Sequence, residues 1–165
     1  MKTKPQIATV SKIISAPVEE IYRIIADYRT LHPFILPKGY FISLEVEEGG
    51  FGNGTIINFK MRILGQTRSF RSLITEPEPG RLLVETDIKS ETPTSFRVAS
   101  IGNDRQTRVT ISTELKGRNV VEGLIAKMIL QKIYREELDL LATMAENHAE
   151  FIWSDPANKT SSTSS

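Results

Sequence analysis

From Gly39 to Leu115 the apolar residues recur at every second position, and after Gly117 they recur at helical spacing to about Ile152 with no proline to interrupt them. This change of period constrains the fold more than any other feature of the chain. Period two marks strands with one face on a core and one face wet, whereas spacing of about 3.6 marks an amphipathic helix. The alternating sets are Ile42, Leu44, Val46, then Ile57, Phe59, Met61, Ile63, then Phe70, Ser72, Ile74, then Leu82, Val84, Thr86, Ile88, then Thr94, Phe96, Val98, and finally Val109, Ile111, Thr113, Leu115. Gly49-Gly50, Gly65, Pro79-Gly80 and Gly102-Asn103-Asp104 separate them, as the turns of an antiparallel meander would.

Ahead of this block, Ile7 to Ser15 is rich in β-branched residues and predicts an opening strand, whose facing stays open because both alternating sets hold apolar members. Pro17, Glu19 and Glu20 then read as a helix start: proline loses no bond at the first helical position, and the carboxylates meet the positive end of the dipole. Val18, Ile21, Tyr22 and Ile25 continue it at helical spacing to near Tyr28, and the apolar Leu31–Pro37 stretch predicts a short packed helical turn.

The expectation is an α+β domain: a seven-stranded curved antiparallel sheet, one or two short helices after strand 1, and a long C-terminal helix. A helix of over thirty residues runs roughly 45 Å, enough to cross the whole sheet. The sheet's apolar face needs such a cover, and a strongly curled sheet cannot interdigitate with it throughout. A cavity between them is the feature on which function turns.

The 165 residues support one domain, expected over 1–153, and the Ser/Thr-rich end 154–165 is expected to be a disordered tail because it offers nothing to bury. The absence of cysteine excludes disulfides, thiol nucleophiles and cysteine-held metals. With only His32 and His148, no metal and no cofactor is expected. A net charge of +1 gives no footprint for nucleic acid. Glu122, Lys127, Gln131 and Lys132 break the longest apolar run, so no integral membrane segment is expected, and with no targeting segment at Met1–Pro5 a cytoplasmic location is expected.

Val10-Ser11-Lys12-Ile13-Ile14-Ser15-Ala16-Pro17-Val18-Glu19-Glu20-Ile21-Tyr22 and the following Ala26-Asp27-Tyr28 carry a family resemblance. They resemble the strand, the I-x-A-P-x-E-x-V-[WY] opening and the D-[FY] helix end of the START-related, polyketide cyclase/dehydrase and lipid-transport superfamily (SRPBCC). The element order agrees over residues 5–152. The resemblance implies a helix-grip fold, with the C-terminal helix held by the curved sheet around a ligand cavity. Many members carry a tryptophan shortly after the Asp-Tyr; here His32-Pro33 stands there, which implies a smaller, more polar wall.

The resemblance implies little about the ligand itself, and the first expectation is a small hydrophobic or amphipathic molecule of the lipid, isoprenoid, quinone or aromatic polyketide class. The expected ligand-binding residues are Phe59, Met61, Phe70, Ser72, Thr86, Phe96, Thr113 and Met128. Hydroxyls at Ser72, Thr86, Thr94 and Thr113 interrupt an otherwise apolar face, and in a dry core each needs a partner. Extending the Phe70 set backwards puts Arg68 on the inner side near a strand end, where it either anchors a polar ligand head or snorkels to solvent. Glu85 and Asp87 fall on the outward set. His32 reads either as a proton-transfer group at the cavity entrance or as a partly exposed loop histidine. Gly49-Gly50-Phe51-Gly52-Asn53-Gly54 reads as a mobile hairpin, with or without Phe51 as a gate.

Three functions compete. A carrier needs only apolar burial and one polar anchor. A cyclase/dehydratase would use His32, Arg68 and Tyr134 as weak catalytic candidates for proton transfer or enolate stabilisation. An interaction module, as in chaperone-activator relatives, would work through its surface.

Overall fold

The computed structural model describes residues 4–117 and 119–154, with side chains to residue 148. Seven strands form one antiparallel sheet: β1 (Gln6–Ile14), β2 (Phe41–Glu48), β3 (Ile56–Ile63), β4 (Gln66–Glu78), β5 (Leu82–Asp87), β6 (Pro93–Ile101) and β7 (Gln106–Leu115). Their order is β1-β7-β6-β5-β4-β3-β2, so the meander from β2 to β7 is closed by β1 pairing along β7. Helix α1 (Val18–Ala26) and a 3-10 turn (His32–Ile35) follow β1, and α2 (Val120–Ser154) completes the chain. The fold is the expected α+β helix-grip arrangement. Ser154 ends α2, and the rest of the expected tail lies outside the described residues.

Register fixes which side chains share the inner face. Ile57 pairs with Ser72, Phe59 with Phe70, Ile74 with Glu85, Leu83 with Phe96, Thr94 with Thr113 and Val98 with Val109. Helix α2 packs on β1, with further contacts to the 3-10 turn, α1 and β7. Its covering face carries Ile133, Tyr134, Glu137, Leu138, Leu141, Ala142 and Ala145, all buried. The outer face is wet and polar, as at the Arg71–Glu47 ion pair of 2.6 Å.

The structure corrects the expected facing of β5. Leu83 and Glu85 lie on the inner face, so Leu82, Val84, Thr86 and Ile88 belong to the outer one. Three consecutive apolar residues, Leu82, Leu83 and Val84, fit either phase, and the outer parity merely held more of them.

The glycine-rich hairpin is fastened. Tyr28 N donates to Gly50 O at 2.9 Å, Gly52 N to Ala26 O at 3.0 Å and Asn53 N to Glu76 Oε2 at 2.8 Å. Gly52 has φ +57°, and a Cβ there would stand 2.5 Å from the Glu76 carboxylate, so this position needs glycine. Phe51 stays 58% exposed.

Candidate functional site

The inner face of the sheet is divided between an aromatic floor and a buried polar end. On the floor, Phe59 stacks on Phe70 with centroids 5.1 Å apart and lies 6.0 Å from Phe41. Phe59, Phe70, Glu85 and Thr94 all point inward yet keep partial accessibility, whereas Met61, Ser72, Phe96 and Thr113 are buried. Helix α2 lies closest to β1, while the floor on β3 and β4 keeps partial accessibility at Phe59 and Phe70.

The polar end is assembled from α1, the 3-10 turn, β5, β6, β7 and α2. The chain leaves α1 at Asp27 and turns, so that Tyr28 and His32 both enter the core, stacked with ring centroids 4.3 Å apart. The Tyr28 hydroxyl donates to Glu85 Oε1 at 2.5 Å. His32 Nδ1–H donates to Ile25 O at 2.7 Å, because a carbonyl can only accept; in the neutral ring Nε2 therefore carries the lone pair. Nε2 lies 3.8 Å from Glu85 Oε1. From the helix side, the Tyr134 hydroxyl shares a 2.6 Å hydrogen bond with Thr113 Oγ1, which shares another of 2.6 Å with Thr94 Oγ1. One turn beyond Tyr134 on the same helix face is Glu137, 3% exposed, whose Oε1 is buried with no hydrogen-bond partner.

Burial governs the charge of this group. It raises the Glu85 carboxyl to about 7, with the Tyr28 hydroxyl pulling the other way. Burial, and then the neighbouring Glu85 charge, hold Glu137 well above the ordinary carboxylate range. His32 is pushed down to about 4 by burial, so its imidazole is neutral at pH 7. Tyr134 is raised to about 12 and Tyr28 upwards, again chiefly by burial. The site at neutral pH is a set of hydroxyls, a neutral imidazole and two carboxyls that resist ionising together.

Several expected site residues meet here and others do not. Phe59, Met61, Phe70, Ser72, Phe96 and Thr113 share the inner face. Thr86 does not: it pairs with the 37%-exposed Leu73 on the outer face. Met128 is 68% exposed, in an apolar surface run with Val120, Val121, Leu124 and Ile125, because α2 faces the sheet with other residues at that point. Arg68, opposite Met61, is exposed at the end of β4, where its guanidinium reaches Gln66 Oε1 at 3.5 Å. His32 is no exposed loop residue but 1% accessible. His148 pairs with Glu20 at the surface, 2.9 Å away.

Sequence reasoning missed Glu85, Glu137 and Tyr28. Glu137 had a signal, since a carboxylate falls within the apolar stripe that runs Tyr134, Leu138, Leu141. Glu85 was hidden by the ambiguous phase of β5. Among the described residues, no three His, Asp or Glu side chains converge as a metal ion would require.

A curved antiparallel sheet gripping a long C-terminal helix, with a partly open aromatic inner face and a polar end, defines a START-like helix-grip protein. The chain belongs to the family described as polyketide cyclase / dehydrase and lipid transport, which matches residues 5–146. Among solved structures it resembles the KanY protein at 25% identity, with TM-score 0.76 over 87% of this chain and 99% of that one. It also resembles a START superfamily protein from Mycobacterium smegmatis (14% identity, TM-score 0.70, 86% and 98% covered). A third likeness is to the Zhui aromatase/cyclase from a Streptomyces species (13% identity, TM-score 0.68, 88% and 96% covered). The last two likenesses speak to the fold alone. No curated protein matches the sequence closely enough to count as a relative. No helix among the described residues is long and apolar enough to cross a membrane.

Proposed function

We propose that this chain binds a small hydrophobic or amphipathic molecule against the inner face of the sheet. Its apolar body lies on Phe41, Phe59, Phe70 and Met61, and its polar end reaches Thr94, Thr113, Tyr134 and the two glutamates. The observation that carries this reading is the pairing of inward-facing aromatic rings that remain partly accessible with a buried carboxyl oxygen that has no partner. Exposed aromatic surface and an unsatisfied buried acceptor are both unfavourable in the free protein, and one amphipathic guest relieves both.

Titration with the neutral fluorophore N-phenyl-1-naphthylamine tests it. Saturable one-to-one binding is expected, weakened at least tenfold by Phe70→Glu, which puts a charge on the aromatic floor. Absence of saturable binding, or binding indifferent to that change, would overturn the reading.

A second reading, catalysis of the cyclase/dehydratase kind, draws on one specific feature: the Glu85 carboxyl stands between the Tyr28 hydroxyl and His32 Nε2. A carboxyl raised to about 7 can give and take a proton at neutral pH. Here Glu85 replaces Arg68 as the proton-transferring group beside His32 and Tyr134, since Arg68 sits out at the strand end. Glu85→Gln would then abolish turnover of a poly-β-ketone substrate while leaving its binding within about threefold. Turnover retained in that variant would exclude Glu85 from the chemistry.

A further inference from the structure

The geometry points to a ligand whose buried end is a neutral hydroxyl, an alcohol or phenol, received by Glu137, and not a carboxylate or phosphate. This rests on the binding reading above and deepens it.

Glu137 is the least satisfied polar group of the described interior. It lies on the sheet-facing stripe of α2, one turn from Tyr134, whose hydroxyl is already held by Thr113. Its Oε1 has no partner although neighbouring polar groups are paired with one another: Tyr28 with Glu85, His32 with Ile25 O, and Tyr134 with Thr113 and Thr94. A buried carboxyl oxygen without a donor is costly, and no neighbouring polar group is within hydrogen-bonding reach of it. The missing donor is what a guest can bring.

The charge of the surroundings selects the kind of donor. No Lys or Arg is buried among the described residues; the buried titratable groups are Tyr22, Tyr28, His32, Tyr134 and Glu137, with Glu85 beside them at 14% side-chain accessibility. An anionic head placed there would face two carboxyls with no cation to offset it, at low dielectric where like charges are strongly unfavourable. Arg68, the natural partner for an acid, is exposed at the end of β4. An ammonium head would require a carboxyl to ionise in a place where burial favours its neutral form. A hydroxyl both donates and accepts, and so satisfies Glu137 with or without its proton.

A matched series on one hydrocarbon body tests this: 2-methylnaphthalene, 2-naphthol, 2-naphthoic acid and 2-naphthylmethylamine, titrated calorimetrically at pH 7 into the full chain and into Glu137→Met. Methionine has similar volume and removes only the polar end, and a thermal melt of the variant checks that it folds. 2-Naphthol is expected to bind wild type about tenfold more tightly than the methyl compound, and Glu137→Met is expected to erase that difference. Tighter binding of the acid or of the amine than of the naphthol overturns the inference, as does a naphthol preference that survives Glu137→Met. Binding of the methyl compound without any preference among heads overturns this inference alone. Failure of all four to bind overturns the hydrophobic-guest reading as well.

Discussion

The Tyr28 hydroxyl donates a 2.5 Å hydrogen bond to Glu85 Oε1, joining the turn after α1 to the middle of β5. It brings a donor to a carboxyl that burial would otherwise leave unsupported. The bond favours the ionised form, so it matters more once that form is populated. Tyr28→Phe is expected to cost about 1–3 kcal/mol in urea unfolding, with the larger loss at pH 8 and the smaller at pH 5. Equal losses at the two pH values would reduce Tyr28 to a packing residue.

The two glutamates give stability a pH dependence of definite sign. An acid whose folded-state pKa is raised keeps its proton in the native state while the unfolded chain loses it. Its contribution is complete below the unfolded value near 4.5 and is lost as pH rises, for Glu85 through about 7. For Glu85 the loss is on the order of 3 kcal/mol. Glu137 carries the decline to higher pH. Wild type is expected to unfold at lower urea at pH 8 than at pH 6.5, and Glu137→Gln to flatten the curve. A wild-type midpoint that rises over that interval would contradict the assignment.

His32 acts in the opposite direction and lower in pH. Its folded-state value is depressed to about 4, so its contribution is present above its ordinary value near 6.5 and lost as pH falls through about 4. Nitrogen-15 NMR is expected to find His32 neutral at pH 6 with the proton on Nδ1. Titration near 6.5 would mean that the ring is not buried as described.

Arg68 and Phe70 divide the site. Phe70 contributes to the stacked floor and Arg68 lies at the strand end. Phe70→Ala is expected to weaken N-phenyl-1-naphthylamine about tenfold, from lost ring contact, and Arg68→Leu to change it less than about twofold. A large effect of Arg68→Leu would return that residue to the binding surface.

The fold was legible because two different periodicities, each carried by many residues, cannot be exchanged for one another. The six-stranded meander and the long α2 follow from them, whereas the pairing of β1 along β7 does not. The polar end was legible only in part. Thr94 and Thr113 stood out as polar interruptions of an apolar face and Tyr134 as a weak catalytic candidate, and the three do meet. Glu85 did not stand out, because Leu82, Leu83 and Val84 leave the phase of a six-residue strand undecided and only pairing with β4 and β6 settles it. The burial of His32 depends on where the turn after α1 aims it, a tertiary matter that residue type does not encode. Met128 shows the converse: its apolar type suggests a cavity wall, yet it is 68% exposed beside other exposed apolar residues of α2.

Binding on the inner face is tested most directly by a chemical-shift map of the full chain titrated with 2-naphthol. Saturable shifts are expected at Phe59, Phe70, Thr94, Thr113 and Tyr134, with Leu73 and Thr86 on the outer face silent. Shifts confined to the outer face, or to the surface groove of about 490 Å³ lined by Phe34, Leu36 and Leu140, would contradict it.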